Sequence, residues 1–457
     1  MLSLIATAVA SVWALHLPRT CADIPAFSGA ISVRGPIESV LPIPVVQNCS
    51  GGAVTLAVIL VLGCTLATFA WQALLRAGIS QRVAMLLYAV AAAVAVSFPY
   101  VSTTDAYAYA LYGYEAGVQH RSPYRAQPLQ TNTAPEFSGI ARLFPDERSG
   151  VRIANYGPVF TALYGGVAAA SRGSLKAAIV IERLLSAIAL LTAALLLRRG
   201  AFVALAPLCV FELIAFAHND AAMLAFLALA WAAYRKNQLA WCCAAIVLAG
   251  EVKGIALLAF LPLALHVARN GRLRAAAAAF AGAAATLAIT AALSLWAFGT
   301  FSLGGAPAIA PFSSPSMLLA AAAGGSLSAI KIFGALQIVA GLLLAAWLFL
   351  RRRTELGAAA AMASLPALFP WYFTWLVPLG AITRDRAFRS AVVAAAFVSI
   401  LGEIPLMVAN AGLAVAALVL AVQWGVPALT YASALNSDAR RRVRRSAVPS
   451  DRVSPKP

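Results

Sequence analysis

The chain has 457 residues, of which 62% are hydrophobic and only 11% are charged. Soluble domains carry about 25% charged residues, and the mean hydropathy here is +0.85, so the composition excludes an ordinary soluble protein. Many apolar runs approach or exceed the ~20 residues that cross a bilayer as a helix. The formal net charge is +18, but Lys and Arg gather in short loops, which indicates membrane topology rather than nucleic-acid binding. We predict an all-α polytopic transmembrane bundle of about 12–14 spans.

The N-terminal region, residues 1–82, is predicted to hold membrane helices and a polar extracytoplasmic loop. Residues 1–17 are apolar but short and lack a basic N-terminal segment. They fit either a cleaved signal or, as we favour, a first membrane helix. Cys21 and Cys49 lie in the polar stretch that follows and can form a disulfide if that stretch faces an oxidising compartment.

The positive-inside rule assigns a side of the membrane to each loop. Arg76 and Arg82 lie between the apolar runs 54–75 and 83–99, so we expect that loop in the cytoplasm and the long segment 100–175 outside. We interpret its modestly apolar part, 158–171, as a helix lying at the membrane interface. The later apolar runs are 176–197, 201–217, 221–234, 239–250, 254–268, 275–297, 330–350, a pair within 356–382, 388–403 and 405–431.

With this topology every basic cluster falls on the cytoplasmic side, and several polar or aromatic motifs fall on the opposite side. The motifs are Asp105, His218-Asn219-Asp220, Glu251 with Lys253, and Trp371-Tyr372. Ionisable groups at the edge of a span are costly unless they are paired or functional. We therefore predict that these motifs converge on one site.

Each motif also has a simpler interpretation. Asp105 can cap a helix, and His218 to Asp220 can form a polar turn between helices. Lys253 can pair with Glu251 or extend its side chain to the interface. Trp371 with Tyr372 fits an aromatic belt at the membrane surface.

The residues of these motifs resemble a known family. The segment from Thr104 to Tyr109, followed by Ser122-Pro123-Tyr124, resembles the D-x-Y-x-Y…G…PY signature of the polyprenol-phosphate-mannose-dependent α-1,6-mannosyltransferases, which are GT-C class membrane glycosyltransferases. The resemblance continues, in the family's order, over roughly residues 83 to 380. The further matching segments are Asn155-Tyr156-Gly157-Pro158, Ala217-His218-Asn219-Asp220-Ala221, Glu251-Val252-Lys253 and Pro370-Trp371-Tyr372-Phe373-Thr374-Trp375.

The chain departs from the family's pattern at two places. Thr104 stands where the family usually has an Arg before its Asp, which removes a cation beside the acid. Phe216-Ala217 precedes His218, where the family has Gly. The resemblance therefore supports the fold and the reaction type more directly than the sugar or the acceptor.

The resemblance implies a sugar transfer from a polyprenyl-phosphate donor to an envelope glycan or glycolipid acceptor, with Asp105 as general base and inversion at the anomeric carbon. Lys253 is then the main partner of the donor phosphate. The other implied substrate-binding residues are His218, Asn219, Asp220, Tyr109, Tyr124, Arg125, Tyr156, Trp371 and Tyr372. Tyr107 and Tyr109 lie on the same side if this segment is a strand, or about 200° apart if it is a helix, so only one need face the site. We predict no cofactor and no metal, since no D-x-D pair lies near Asp105; Glu115 and Asp146 are the alternative ligands.

The predicted organisation follows from the resemblance and the apolar runs. Residues 83–382 form the catalytic membrane core, 383–436 the C-terminal membrane helices and 437–457 a basic, disordered cytoplasmic tail. The implied location is the inner or plasma membrane, with membrane lipid as a partner, no nucleic acid, and the active site outside the cytoplasm.

Two other functions fit a polytopic protein. A lipid or glycan transporter would carry charged groups deep within its spans, and Glu182 with Arg183, inside run 176–197, is the one such pair we recognise. A non-catalytic subunit of an envelope assembly is the second alternative. Loss of activity in an Asp105→Asn variant that is still expressed would separate an enzyme from either.

The topology is testable by cysteine-accessibility labelling in intact cells. Cysteines placed at Arg235 or Arg351 should react only after the cytoplasm is opened, because basic loops stay inside. A cysteine placed beside His218 should not react preferentially from the cytoplasmic side. Labelling of that position from the cytoplasm alone would contradict the assignment of the motifs to one outer face.

Overall fold

The computed structural model describes residues 52–98, 105–125, 154–197, 199–269, 273–303, 316, 319, 327–365, 369–399 and 413–446. Within these ranges the regular structure is helical and contains no strand, which confirms the predicted all-α class. Our predictions for residues 1–17, for a Cys21–Cys49 disulfide and for Asp146 lie outside the described residues.

The α-helices are numbered here in chain order. They are α1 Gly52–Ala77, α2 Gln81–Val96, α3 Asp105–Gly117, α4 Pro158–Ala170, α5 Leu175–Leu196, α6 Gly200–Ala204, α7 Asp220–Arg235, α8 Leu239–Val252, α9 Phe260–Arg269, α10 Leu273–Phe298, α11 Leu327–Leu350, α12 Thr354–Ala363, α13 Leu376–Ile382, α14 Arg386–Ser399 and α15 Leu413–Ser446. A π-helix, Cys209–Ala215, and two 3₁₀ helices, Gly254–Ala259 and Pro370–Trp375, complete the described helical segments.

Three described helices are long and apolar enough to cross a membrane: α5, α10 and the part of α11 from Lys331 to Leu350. The π-helix and α7 form a fourth candidate, bent by 119° at the break between them. The surface of α10 supports this, since Phe280 and Trp296 are 77% and 85% exposed; aromatic side chains on a helix face of this kind belong against lipid rather than water. The protein is therefore a helical membrane protein, and the count of about 12–14 spans stays a prediction.

Local signals in the sequence account for several helix starts. The Ser80 hydroxyl accepts a hydrogen bond from the Val83 amide at the start of α2, and Ser174 does the same for Ala177 at the start of α5. Such caps satisfy amides that have no partner within the helix. Pro158 occupies the first turn of α4, where its missing N–H costs nothing.

The last helix differs from our prediction for the tail. Helix α15 runs to Ser446, so residues 437–446, which we expected to be disordered, are its last turns. The pattern misled us because a run of arginines is compatible with helix, given the good helix propensity of Arg.

Helices α3 and α4 pack closely because glycines lie where they cross. A Cβ atom added at Gly117 would lie 2.0 Å from the carbonyl oxygen of Gly165, and one added at Gly113 would lie 2.2 Å from that of Tyr164. Only glycine permits backbones to approach this closely. The contact fixes α3, which begins at Asp105, against α4.

Arg183 fixes the end of α2, the helix that precedes α3 in the chain. Its side chain is buried within α5, and its Nη1 donates to the carbonyl oxygens of Val96 at 3.1 Å and Phe98 at 2.5 Å. These are carbonyls at the C-terminal end of α2, which lack partners within that helix. Arg183 therefore caps α2 seven residues before Asp105, which is a structural use of a charge inside a span.

The glycine contact can be tested by comparing two substitutions. Gly117→Ala should destabilise the protein by about 1–3 kcal/mol or more, since the added methyl group meets backbone that cannot move aside. Gly166→Ala is the matched control on α4, because a Cβ atom there has nothing within 4 Å; it should be neutral or slightly stabilising. Thermal melting in detergent measures both, and equal effects would contradict the proposed close packing.

Candidate active site

Asp105 and Tyr109 occupy adjacent turns of α3. Residues four apart lie on one helix face, and the Tyr109 hydroxyl lies 3.4 Å from Oδ2 of Asp105. The same hydroxyl lies 3.3 Å from Oδ1 of Asn219. Tyr107 turns away into an apolar cluster that includes Leu111. The structure thus confirms that only one of the two tyrosines faces this group.

A sharp bend between two helices positions the second motif of the site. Between the π-helix and α7 the direction changes by 119°, and Ala217 adopts a φ of 58°. The left-handed conformation costs a non-glycine residue about 1–2 kcal/mol, so the surrounding contacts hold it in place. The break buries His218, Asn219 and Asp220 completely.

His218 lies between two carboxylates. Its Nδ1 is 3.6 Å from Oδ2 of Asp105, and its Nε2 is 3.6 Å from Oε2 of Glu212. Both separations exceed normal hydrogen-bond length, so these are close polar contacts rather than formed hydrogen bonds. The imidazole ring also stacks on Trp371, with centroids 4.0 Å apart and planes at 17°.

We did not predict Glu212 from the sequence. It is fully buried in the π-helix, within the apolar run 201–217. A lone carboxylate in such a run is itself a signal, since an ionisable group inside a span is rare unless it has a partner.

Lys253 and Asp220 form the shortest described ion pair of the site. The Lys253 ammonium lies 2.9 Å from each oxygen of the Asp220 carboxylate. The Trp375 indole N–H donates to Oδ1 of Asp220 at 2.6 Å. Our alternative of a Lys253–Glu251 pair is wrong, because Oε1 of Glu251 instead accepts a hydrogen bond of 2.5 Å from the Thr290 hydroxyl.

Aromatic rings surround the charged groups. The Lys253 ammonium lies 4.4 Å from the ring centroid of Tyr372, a cation–π distance. Tyr156 meets Tyr109 edge to face at 5.4 Å and stacks on Phe160 at 4.2 Å. Trp371 is only 3% exposed, which is incompatible with a lipid-facing aromatic belt. These rings enclose the charged groups, and Tyr156 and Tyr372 are the partly exposed members.

Tyr124 and Arg125 make their described contacts elsewhere. The Tyr124 hydroxyl lies 2.6 Å from that of Thr161, and its ring packs edge to face against Phe298. Arg125 is exposed and donates to the carbonyl oxygen of Gly299 at 3.0 Å. These contacts are with α4 and with the end of α10 rather than with Asp105.

Burial, together with the neighbouring charges, sets the pKa of Asp105. Helix α3 lies outside the candidate spans. Burial raises the pKa of Asp105 from about 3.8 to about 6, the positive charge of Lys253 opposes that rise, and the negative charge of Asp220 adds to it. The Asp105 side chain is nevertheless 35% exposed, so water and substrate can reach it.

Among the described residues no group of three or more His, Cys, Asp or Glu side chains is arranged to hold a metal ion.

The comparisons with known proteins identify the family. Residues 24–269 match the family model described as alpha-(1->6)-mannopyranosyltransferase, N-terminal domain. The protein belongs to this family. It is therefore a membrane mannosyltransferase that takes a sugar from a donor to a glycan acceptor, as the motif resemblance implied. Neither the comparison with curated proteins nor that with solved structures gave a match.

The matched range bears directly on the site. Asp105, His218 and Lys253 all lie within residues 24–269, whereas Trp371 and Tyr372 lie beyond them. The structure brings the two parts together, since Trp371 stacks on His218 and Tyr372 lies against Lys253.

Proposed function

We propose that this mannosyltransferase moves mannose from a polyprenyl-phosphate donor to a glycan or glycolipid acceptor, with inversion at the anomeric carbon and with Asp105 as general base. One observation carries the assignment. Asp105 is a partly exposed carboxylate that lies between Tyr109 and His218, beside the Lys253–Asp220 ion pair. A base and a cation within one aromatic-walled site supply what the transfer requires.

The chemistry needs one base. An acceptor hydroxyl attacks the anomeric carbon, the Asp105 carboxylate takes the hydroxyl proton, and the bond from that carbon to the phosphate oxygen breaks. The electron pair leaves with the polyprenyl phosphate, which is stable as an anion and needs no general acid. Direct attack inverts the anomeric centre, so an α-mannoside product requires a β-linked donor.

Lys253 supplies positive charge for the donor phosphate. Its contact with Asp220 uses one carboxylate, and its side chain is 14% exposed, so the ammonium can still donate to a phosphate oxygen. Asp220 fixes the position of Lys253 before the donor binds, which limits reorganisation in the transition state. His218 and Asn219 lie beside Asp105, where they can position the acceptor.

The proposed location is the outer face of the inner or plasma membrane. The basic loops indicate which side is cytoplasmic, and Asp105 follows the end of α2 opposite to Arg76 and Arg82. A lipid-borne donor suits this arrangement because its polyprenyl chain stays in the bilayer while its phosphate reaches the surface.

The role of Asp105 is tested by Asp105→Asn. This variant keeps the shape and removes the basic carboxylate, so turnover on polyprenyl-phosphate mannose should fall by at least ~10²-fold. Glu355→Gln is the control, because Glu355 contacts Thr383 at the far end of the bundle, and it should keep its activity. Turnover is measured with purified protein of confirmed melting temperature. Near-normal turnover in Asp105→Asn would leave Asp105 as a helix cap.

The role of Lys253 needs a paired substitution. Removing Lys253 alone leaves the buried Asp220 charge without its cation, which typically costs 3–5 kcal/mol of stability. The double variant Asp220→Asn/Lys253→Gln avoids that problem and should raise the KM for the donor about 10-fold or more. Asp220→Asn alone retains the ammonium and should raise it much less. Equal KM values for the two variants would contradict a phosphate role for Lys253.

The pH dependence of kcat/KM provides an independent test. The base acts in its ionised form, so kcat/KM should be constant above the Asp105 pKa of about 6 and fall about tenfold per pH unit below it. Asp220→Asn removes a negative charge that raises this pKa, so the acid limb should move to lower pH. A rate profile without an acid limb between about pH 4.5 and 7 would exclude Asp105 as the base.

A further inference from the structure

A large cavity lies away from the candidate active site. Its volume is about 1020 Å³, and its lining comes from α1, the start of α2, α5, α6, α14 and α15 together with the short segments beside them. Nothing in the proposed reaction uses it.

The cavity lies at the opposite end of the bundle from Asp105. Gln81, the first residue of α2, lines it, whereas the far end of α2 is capped by Arg183 and leads toward Asp105. A 16-residue helix is about 24 Å long at 1.5 Å per residue. Leu195, at the C-terminal end of α5, also lines the cavity. By the positive-inside rule this is the cytoplasmic end.

Four arginines from three parts of the chain meet at this cavity: Arg76, Arg199, Arg386 and Arg389. Two of these arginines, Arg199 and Arg389, are hydrogen-bonded to the protein backbone. Nη1 of Arg199 donates to the Thr383 carbonyl at 2.7 Å, and Nη2 of Arg389 donates to the same oxygen at 2.9 Å. Arg76 and Arg386 are exposed and extend the positive charge toward the opening.

The nearby carboxylates do not balance this charge. Oδ1 of Asp385 accepts from the backbone amides of Ala387 and Phe388 at the start of α14, and Oε1 of Glu355 accepts from the Thr383 hydroxyl. The four guanidinium groups of the lining outnumber these two carboxylates. The excess favours an anion.

The remainder of the lining is apolar. Phe69 and Leu195 line the cavity and are 65% and 55% exposed on the outer face of the bundle, and Phe397 lies deeper within the lining. The cavity therefore opens toward lipid as well as toward the cytoplasm. A site that is cationic at one edge and apolar along its wall matches a molecule with an anionic head and acyl chains.

We propose that this cavity binds one anionic phospholipid, with the lipid phosphate on Arg76 and Arg386 and the acyl chains along Phe69 and Phe397. Arginine pairs with phosphate through two parallel hydrogen bonds, and basic pockets between membrane helices on the cytoplasmic side bind anionic headgroups. The proposal does not depend on the identity of the sugar donor or on Asp105.

Native mass spectrometry of the full-length protein in detergent tests the proposal. The protein is titrated with phosphatidylglycerol and, separately, with phosphatidylcholine of the same acyl chains. Phosphatidylglycerol should bind as a single molecule about 10-fold or more tightly than phosphatidylcholine. Both lipids carry a phosphate, but choline cancels its charge in phosphatidylcholine, and each arginine near a net anionic headgroup changes affinity about fivefold. Soluble glycerol phosphate should not displace it at the same concentration, because it lacks the acyl chains.

Matched variants locate the lipid. Arg76→Gln/Arg386→Gln changes the two exposed arginines and should weaken phosphatidylglycerol binding about 10-fold or more. Arg235→Gln/Lys236→Gln removes an exposed basic pair from the end of α7 and should leave binding unchanged. Ser390→Glu, which places a negative charge in the lining, is a second variant should the first not fold, and it should weaken binding likewise.

Three results would overturn the proposal. They are equal affinities for the two lipids, equal binding by the cavity variants and the α7 control, and displacement by glycerol phosphate as readily as by lipid. None of these measurements uses mannosyl transfer, so their failure is distinguishable from failure of the proposed reaction.

Discussion

The contact between Lys253 and Asp220 joins the parts of the candidate site. Asp220 begins α7 and Lys253 follows α8, and the carboxylate also accepts the Trp375 indole N–H from a segment about 150 residues later. Asp220 is fully buried, and an ionised carboxylate in such a place is stable only when paired. The need to satisfy that charge therefore fixes three distant segments at one point.

Two further contacts set the position of Asp105 relative to the Lys253–Asp220 pair. Arg183 holds the end of α2, and the glycines at the α3–α4 crossing set the depth at which α3 lies. Close packing transmits small displacements, so a shift of α3 would move Asp105 relative to Lys253. These contacts hold Asp105 in position, and its exposed face remains accessible to a substrate.

The sequence predicted the helical class and the family because those signals are local. Apolar runs mark helices of membrane length, and the segments around Asp105, His218 and Lys253 carry recognisable motifs. The ion-pair partner of Lys253 could not be predicted from the sequence. Glu251 lies two residues away in sequence, but the helix end turns its carboxylate toward Thr290, and that direction depends on how α8 packs against α10.

The role of Glu212 and the convergence of the cavity arginines also depend on packing, so local sequence patterns did not predict them. Glu212 stands alone in an apolar run, and only the π-helix and the chain break after it bring its carboxylate to His218. The arginines of the large cavity read as ordinary topology signals, since each belongs to a short basic loop. Their convergence on one volume follows from the packing of α1, α5 and α14, which no local pattern specifies.

The most direct test of the central claim is the stereochemical course of transfer by the purified protein. The protein is incubated with β-linked and α-linked polyprenyl-phosphate mannose in parallel, with nucleotide-linked mannose as a third donor, and the product linkage is determined by NMR. Direct attack assisted by Asp105 predicts an α-mannoside from the β-linked lipid donor alone. Transfer from the nucleotide donor, or an α-mannoside formed from the α-linked lipid donor, would contradict the account.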